Sequence, residues 1–130
     1  MVHIVGAGPG ATDLITVRGL RLLQQADVVV YAGTLVNREL LRETKPGALL
    51  YDSGTMTLEE VMEVIGKAEA RGDSIVRLHT GDPSLYGAIR EQMDQMEKAG
   101  IPYAICPGVS SFCGAAASLH MEYTLPGVSQ

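Results

Sequence analysis

Short runs of β-branched apolar residues alternate with longer segments whose apolar positions recur every three or four residues. Val2-His3-Ile4-Val5 predicts a first strand, with the glycine loop Gly6–Gly10 behind it. The following segment predicts a helix that turns Leu20, Leu23 and Ala26 toward a core. Val28-Val29-Val30-Tyr31 is almost wholly apolar, as expected of a parallel strand covered on both faces. A short helix after Asn37 uses Leu40 and Leu41, and Ala48–Tyr51 predicts a third strand.

The best-marked helix begins at Thr57. Thr57 and Glu60 have capping-box spacing, so each side chain can satisfy a backbone N–H at the helix start. Leu58, Val61, Met62, Ile65 and Ala68 then share one face, and Gly72 supplies a left-handed stop. Ser74–His79 predicts a fourth strand. A helix is expected from Ser84 to Gly100, burying Leu85, Ile89, Met93 and Met96, with the methionines as core filling. Tyr103–Cys106 predicts a fifth strand, and Pro107-Gly108 leads into a small-residue helix through Ala115, Ala116 and Ala117.

Strands alternating with helices predict an α/β fold: a mostly parallel five-stranded sheet with helices on both faces. Its strand-to-helix loops then gather at one end, and each contains a glycine: Gly10, Gly33, Gly54, Gly81 and Gly108. Ligands of open α/β sheets bind outside that carboxyl end. Residues 1–121 are expected to form the domain, with a tail from Glu122 to Gln130 that reads as a linker.

Composition removes several classes of function. With 130 residues and 46% hydrophobic content the chain can build one core. Ten Lys plus Arg against fifteen Asp plus Glu leave a net charge of −5, which argues against a nucleic-acid binder. No Trp and a single Phe argue against stacking platforms for single strands. No apolar run approaches a membrane span, and the apolar start lacks a basic region, so a soluble cytoplasmic protein is expected. Cys106 and Cys113 read as reduced thiols. His3, His79 and His120 lack metal-ligand spacing, so no metal site is expected.

Gly6-Ala7-Gly8-Pro9-Gly10-Ala11 loosely matches a dinucleotide fingerprint, but Pro9 removes an N–H where a pyrophosphate needs donors. The second strand also ends Tyr31-Ala32-Gly33, without an acid to grip a ribose. A tight turn that lets backbone approach a neighbour is the better reading. His79–Gly87 is more pointed, because Asp82 sits in a glycine turn after an apolar strand. Asp82 could cap the following helix or accept hydrogen bonds from a ligand's hydroxyl or ammonium groups. Ser110 and Ser111 open the last helix, where hydroxyls and free N–H groups make a donor-rich spot or simply a cap. Glu59, Glu60 and Glu63 read as a solvated helix face.

Taken together, Gly6–Gly10, Tyr31–Val36, His79–Gly87 and Pro107–Phe112 resemble, in order and spacing, the tetrapyrrole methylase family. Asp52–Glu60 and Thr80–Gln92 are most similar to its precorrin-4 and cobalt-precorrin-4 C11-methyltransferase branch. The resemblance implies a two-domain, S-adenosylmethionine-dependent enzyme of cobalamin biosynthesis, usually a homodimer, acting on a precorrin-type tetrapyrrole. This chain would be its N-terminal domain, with 122–130 opening the interdomain linker and the second domain absent. Cofactor contacts would fall on Pro9, Thr80, Gly81, Asp82, Leu85, Ser110 and Ser111, while the first glycine loop faces the tetrapyrrole. Ala32 stands where members acting on uroporphyrinogen carry an acid, and no basic residue follows the third strand around Asp52–Met56. Both departures disfavour that substrate and leave the general base unassigned. Arg18, Arg21 and Arg38 could steer a polycarboxylate, though ordinary helix surface is the favoured reading. Alternatives are another ring position of the same pathway and a non-catalytic binding or dimerisation module.

Overall fold

The computed structural model describes residues 1–125 and Gly127, so Pro126 and residues 128–130 of the expected linker lie outside the described residues. Five strands form one sheet: β1 (Val2–Gly6), β2 (Val28–Tyr31), β3 (Leu49–Asp52), β4 (Ile75–His79) and β5 (Tyr103–Cys106). Every pairing is parallel and the order is β3-β2-β4-β1-β5. The α-helices are α1 (Val17–Gln25), α2 (Leu58–Ala70), α3 (Arg90–Ala99) and α4 (Ser111–Leu119), joined by short 3-10 turns.

Strand alternation divides the core into two layers. Val28, Val30, Ile75, Val2 and Ile4 pack against Val61, Ile65 and Ala68 of α2 and Met96 of α3. Val29, Val76, Leu78 and Val5 face the opposite way, onto Leu23 of α1 and Leu40. Helices therefore cover both faces, and the central strands β2 and β4 are buried throughout. The edge strands are not: Leu49, Leu50 and Ile105 stay exposed.

Local signals set the helix ends where the side chains allow. Thr57 and Glu60 form the expected capping box, both bonds at 3.1 Å. Gly72 follows α2 at φ 76°. One boundary differs from the sequence reading: the helix expected from Ser84 begins only at Arg90. The Asp82 side chain accepts from Ser84 N–H, and Leu85 N–H bonds the Asp82 carbonyl, which closes a turn instead of a helix. Tyr86 and Ala88 then adopt left-handed backbone at φ 60° and 52°, where a right-handed helix cannot propagate. Consequently Leu85 is 44% exposed and Tyr86 fully so, while Ile89 and Met96 reach the core as expected.

β1 and β4 lie side by side, yet their outgoing connections leave to opposite faces: α1 joins one core layer, α3 the other. That divergence is the switch point of an open parallel sheet, where a crevice is left for a ligand.

Candidate functional site

At the switch point three glycines bring three strand ends into contact. A Cβ on Gly6 would lie 2.6 Å from Gly81 O and 2.7 Å from Gly108 Cα, so none of these backbones could approach with a side chain between them. The glycine loop is then tied to the loop after β4: Ala7 N–H donates to His79 O (2.6 Å), Gly8 N–H to Gly81 O (3.2 Å) and Gly81 N–H to Gly8 O (2.8 Å). These bonds consume N–H groups that a pyrophosphate would need. The close-approach reading of the loop is the one the geometry bears out.

Asp82 ties a third strand end into this arrangement. Its Oδ1 accepts from Gly108 N–H at 2.9 Å, and its Oδ2 accepts from the Ser84 backbone at 3.3 Å and from the Ser84 hydroxyl. Burial pushes the carboxyl up, but the hydrogen bonds from Ser84 and Gly108 outweigh it and hold it below the usual carboxylate value. Asp82 therefore does not cap α3; it braces the β4 loop against the β5 loop as an anion. By contrast Ser110 occupies the N-cap position of α4 without a side-chain cap bond. Its hydroxyl and the open N–H groups of the first turn remain available to a ligand.

A cavity of about 630 Å³ opens beside these loops. Thr80, Gly81, Asp82, Leu85, Ser110 and Ser111 all line it, so six of the seven expected contacts meet in one place. Pro9 does not join them; it sits over Gly114 and borders a separate depression of about 300 Å³ along α4, which Ser111 also touches. The size suits a nucleoside-sized ligand, since such pockets run to roughly 300–1,000 Å³.

The floor of the cavity holds groups that motif reading passed over: Arg77, His79 and Gln92. Arg77 is 6% exposed, on a strand otherwise filled by Ile75, Val76 and Leu78. A charged residue inside such an apolar run was the available signal. Its Nε donates to Gln92 Oε1 at 2.9 Å and its Nη1 to Val30 O at 3.1 Å. Burial brings the guanidinium down to about 10, so it remains charged at neutral pH. His79 is equally buried, and its Nε2 has no hydrogen-bond partner. Burial, aided by the Arg77 charge, pushes the imidazole down to about 4, so it is neutral at pH 7.

Elsewhere, charges are ordinary surface features. A depression of about 540 Å³ between β3 and α2 is lined by Glu63 and Lys67, which pair with each other at 2.9 Å on α2. Arg38 pairs with Asp52 at 3.5 Å, and Arg18 and Arg21 are exposed on α1. Cys106 and Cys113 are free thiols, the first buried and the second exposed. No group of metal-ligating side chains occurs among the described residues, and no described helix is long and apolar enough to cross a membrane.

The family model for tetrapyrrole (corrin/porphyrin) methylases matches residues 1–130. A cobalt-precorrin-4 C(11)-methyltransferase of Methanocaldococcus jannaschii is 55% identical over 129 residues, covering 99% of this chain and 50% of that protein. The X-ray structure of a cobalt precorrin-4 methyltransferase superposes with a TM-score of 0.95 at 48% identity, over 99% of this chain and 54% of that one. A uroporphyrin-III C-methyltransferase from Thermus thermophilus, complexed with S-adenyl homocysteine, gives a TM-score of 0.77 at 33% identity, over 99% and 52%. The chain thus spans about half the length of the curated relatives it matches.

Proposed function

Because the chain belongs to the tetrapyrrole methylase family, we propose that it serves S-adenosylmethionine-dependent methylation of C11 of precorrin-4 or cobalt-precorrin-4 in cobalamin biosynthesis. In this reading it is the N-terminal α/β domain of a cytoplasmic, homodimeric enzyme, and a second domain completes the cleft. The observation that carries the proposal is the cavity at the switch point, where Thr80, Gly81, Asp82, Leu85, Ser110 and Ser111 converge. The relatives named for C11 methylation support the ring position. Ala32 after β2 supports a substrate other than uroporphyrinogen.

The residues present fit a methyl donor with a nucleoside and an amino-acid end. Gly81, at φ 61°, lacks the Cβ that would stand 3.2 Å from Ser111 Oγ, so the β4 loop and the start of α4 can approach closely in the cavity wall. Ser110 and Ser111 offer hydroxyls at the start of α4, and Leu85 gives an apolar surface. The orphaned His79 Nε2 marks a polar contact that the fold itself does not fill. When bound, S-adenosylmethionine supplies an electrophilic methyl group for direct displacement by the ring carbon. The chain's own work is alignment: the Asp82 brace fixes two walls of the cavity relative to each other, and holding reactants in line accounts for several kcal/mol of a barrier.

The test is calorimetric titration of S-adenosylhomocysteine into the protein. Saturable binding that is lost in Asp82→Ala and largely kept in Asp82→Asn, which retains the acceptor for Gly108 N–H, supports the site. Binding unaffected by Asp82→Ala would move the cofactor off this loop. Methyl transfer by the complete enzyme to cobalt-precorrin-4, with the new methyl located by NMR, tests the ring position.

A further inference from the structure

We propose that Arg77 and His79 form a built-in receptor for a single carboxylate at the floor of the switch-point cavity. The argument begins with a missing partner. Buried guanidinium groups are costly unless a carboxylate pairs with them. Arg77 is buried, lines the cavity, and takes part in no ion pair among the described residues. Its side-chain partners are neutral: the Gln92 amide and the Val30 carbonyl. A guanidinium carries five N–H donors in a planar fork, so more than half of them remain to be used.

The nearby acids do not supply the missing charge. Asp82 lines the same cavity, but its two oxygens are taken by Gly108 and Ser84. Glu91 lines the adjoining hollow of about 160 Å³ that Arg77 also borders, and it makes no ion pair with Arg77. Two residues along β4, on the same side of the strand, His79 presents a second unfilled group, the buried Nε2. A guanidinium fork beside an unpartnered imidazole matches a carboxylate, which accepts two N–H bonds from the fork and a third from the ring. Thr80, Ser110 and Ser111 line the same cavity with further donors.

Two sources could deliver that carboxylate: the amino-acid end of the methyl donor, or a carboxylate arm of the macrocycle. Only this attribution rests on the proposed function; the receptor itself does not. The experiment therefore starts with a probe that assumes neither. Propionate is titrated into isotopically labelled protein while the Arg77 Nε–H and His79 imidazole signals are followed by NMR, with chloride at matched ionic strength as the control. A saturable, millimolar shift of both signals, absent with chloride, is the expected result.

Gln92→Glu supplies an internal carboxylate to the fork without changing the side chain's size. It should keep or raise thermal stability while weakening propionate by about tenfold or more, because charge-assisted hydrogen bonds are lost and an anion is added. Arg77→Gln should weaken it similarly. No saturable shift in the native protein, or an undiminished shift in folded Gln92→Glu, overturns the proposal. S-Adenosylhomocysteine, 5′-methylthioadenosine and uroporphyrin then identify the source. Loss confined to S-adenosylhomocysteine assigns the site to the amino-acid end, since methylthioadenosine lacks it; loss confined to uroporphyrin assigns it to the macrocycle. Propionate binding without either natural class of ligand keeps the receptor and shows that the half-cleft of this chain does not hold the larger ligands, which the complete enzyme closes with its second domain.

Discussion

Single residues at the switch point carry two measurable consequences. Gly6 has backbone neighbours at 2.6 and 2.7 Å from where a Cβ would stand, and backbone cannot rotate away as a side chain can. Gly6→Ala should therefore cost about 1–3 kcal/mol, the usual range for overpacking, and widen the spacing of the three loops. Urea unfolding reads the stability, and S-adenosylhomocysteine titration reads the loops. His79 makes stability depend on pH in a defined direction. Its imidazole titrates near 4 when folded, against an ordinary value of 6.5, so the unfolded chain takes up a proton first. The stability is complete above pH 6.5 and is lost as pH falls toward 4, by about 3 kcal/mol at most. Against a His79→Gln variant, the native protein should show the steeper loss over that window. Parallel slopes in the two proteins would mean that His79 is solvated in both states.

At the scale of elements, the sequence shows most where one residue controls one backbone group. The Thr57–Glu60 capping box was legible because its spacing alone determines which N–H groups are satisfied. Thr57→Ala should cost about 1 kcal/mol, read as a lowered urea midpoint with an unchanged slope. The start of α3 was not legible. Leu85, Ile89, Met93 and Met96 have helical spacing, but the Asp82 turn and the left-handed Tyr86 and Ala88 take the first of them out of the helix. That choice is made just ahead of the helix, where Asp82 closes a turn with the N–H groups of Ser84 and Leu85 while its Oδ1 is held by Gly108 N–H. Nothing in the pattern of residues 84–100 reveals it. Ala88 pays for the turn with backbone at φ 52°. Replacing it by Gly should raise the melting temperature, since relief of left-handed strain is worth about 1 kcal/mol. An unchanged or lower value would show that Ala88 carries compensating packing.

Across the whole molecule, the sheet end that holds the cavity also carries exposed apolar side chains. The parallel sheet and its glycine-bearing loops could be read from alternation alone, whereas the gathering of Thr80–Leu85 with Ser110 and Ser111 came from the family resemblance. The apolar run around Arg77 signals a buried charge, but its partners Gln92 and Val30 are brought alongside only by the fold. Leu35, Leu85, Tyr86 and Phe112 line the cavity and are substantially exposed, as are Leu119 at the end of α4 and Tyr123 and Leu125 after it. Phe112 and Tyr123 stack edge to face at 5.9 Å, so part of this surface is already ordered as a rigid aromatic step. Exposed apolar and aromatic side chains grouped at a cavity mark an interaction surface, whereas the opposite end of the sheet ends in charged pairs such as Lys45–Asp27. The protein should therefore self-associate through the carboxyl end of its sheet as concentration rises. Gel filtration with light scattering should show a mass above that of one chain, falling toward it in a Phe112→Ser, Leu119→Ser variant. A clean monomer at every concentration would mean that the aromatic step and the cavity lining are together polar enough to stay hydrated.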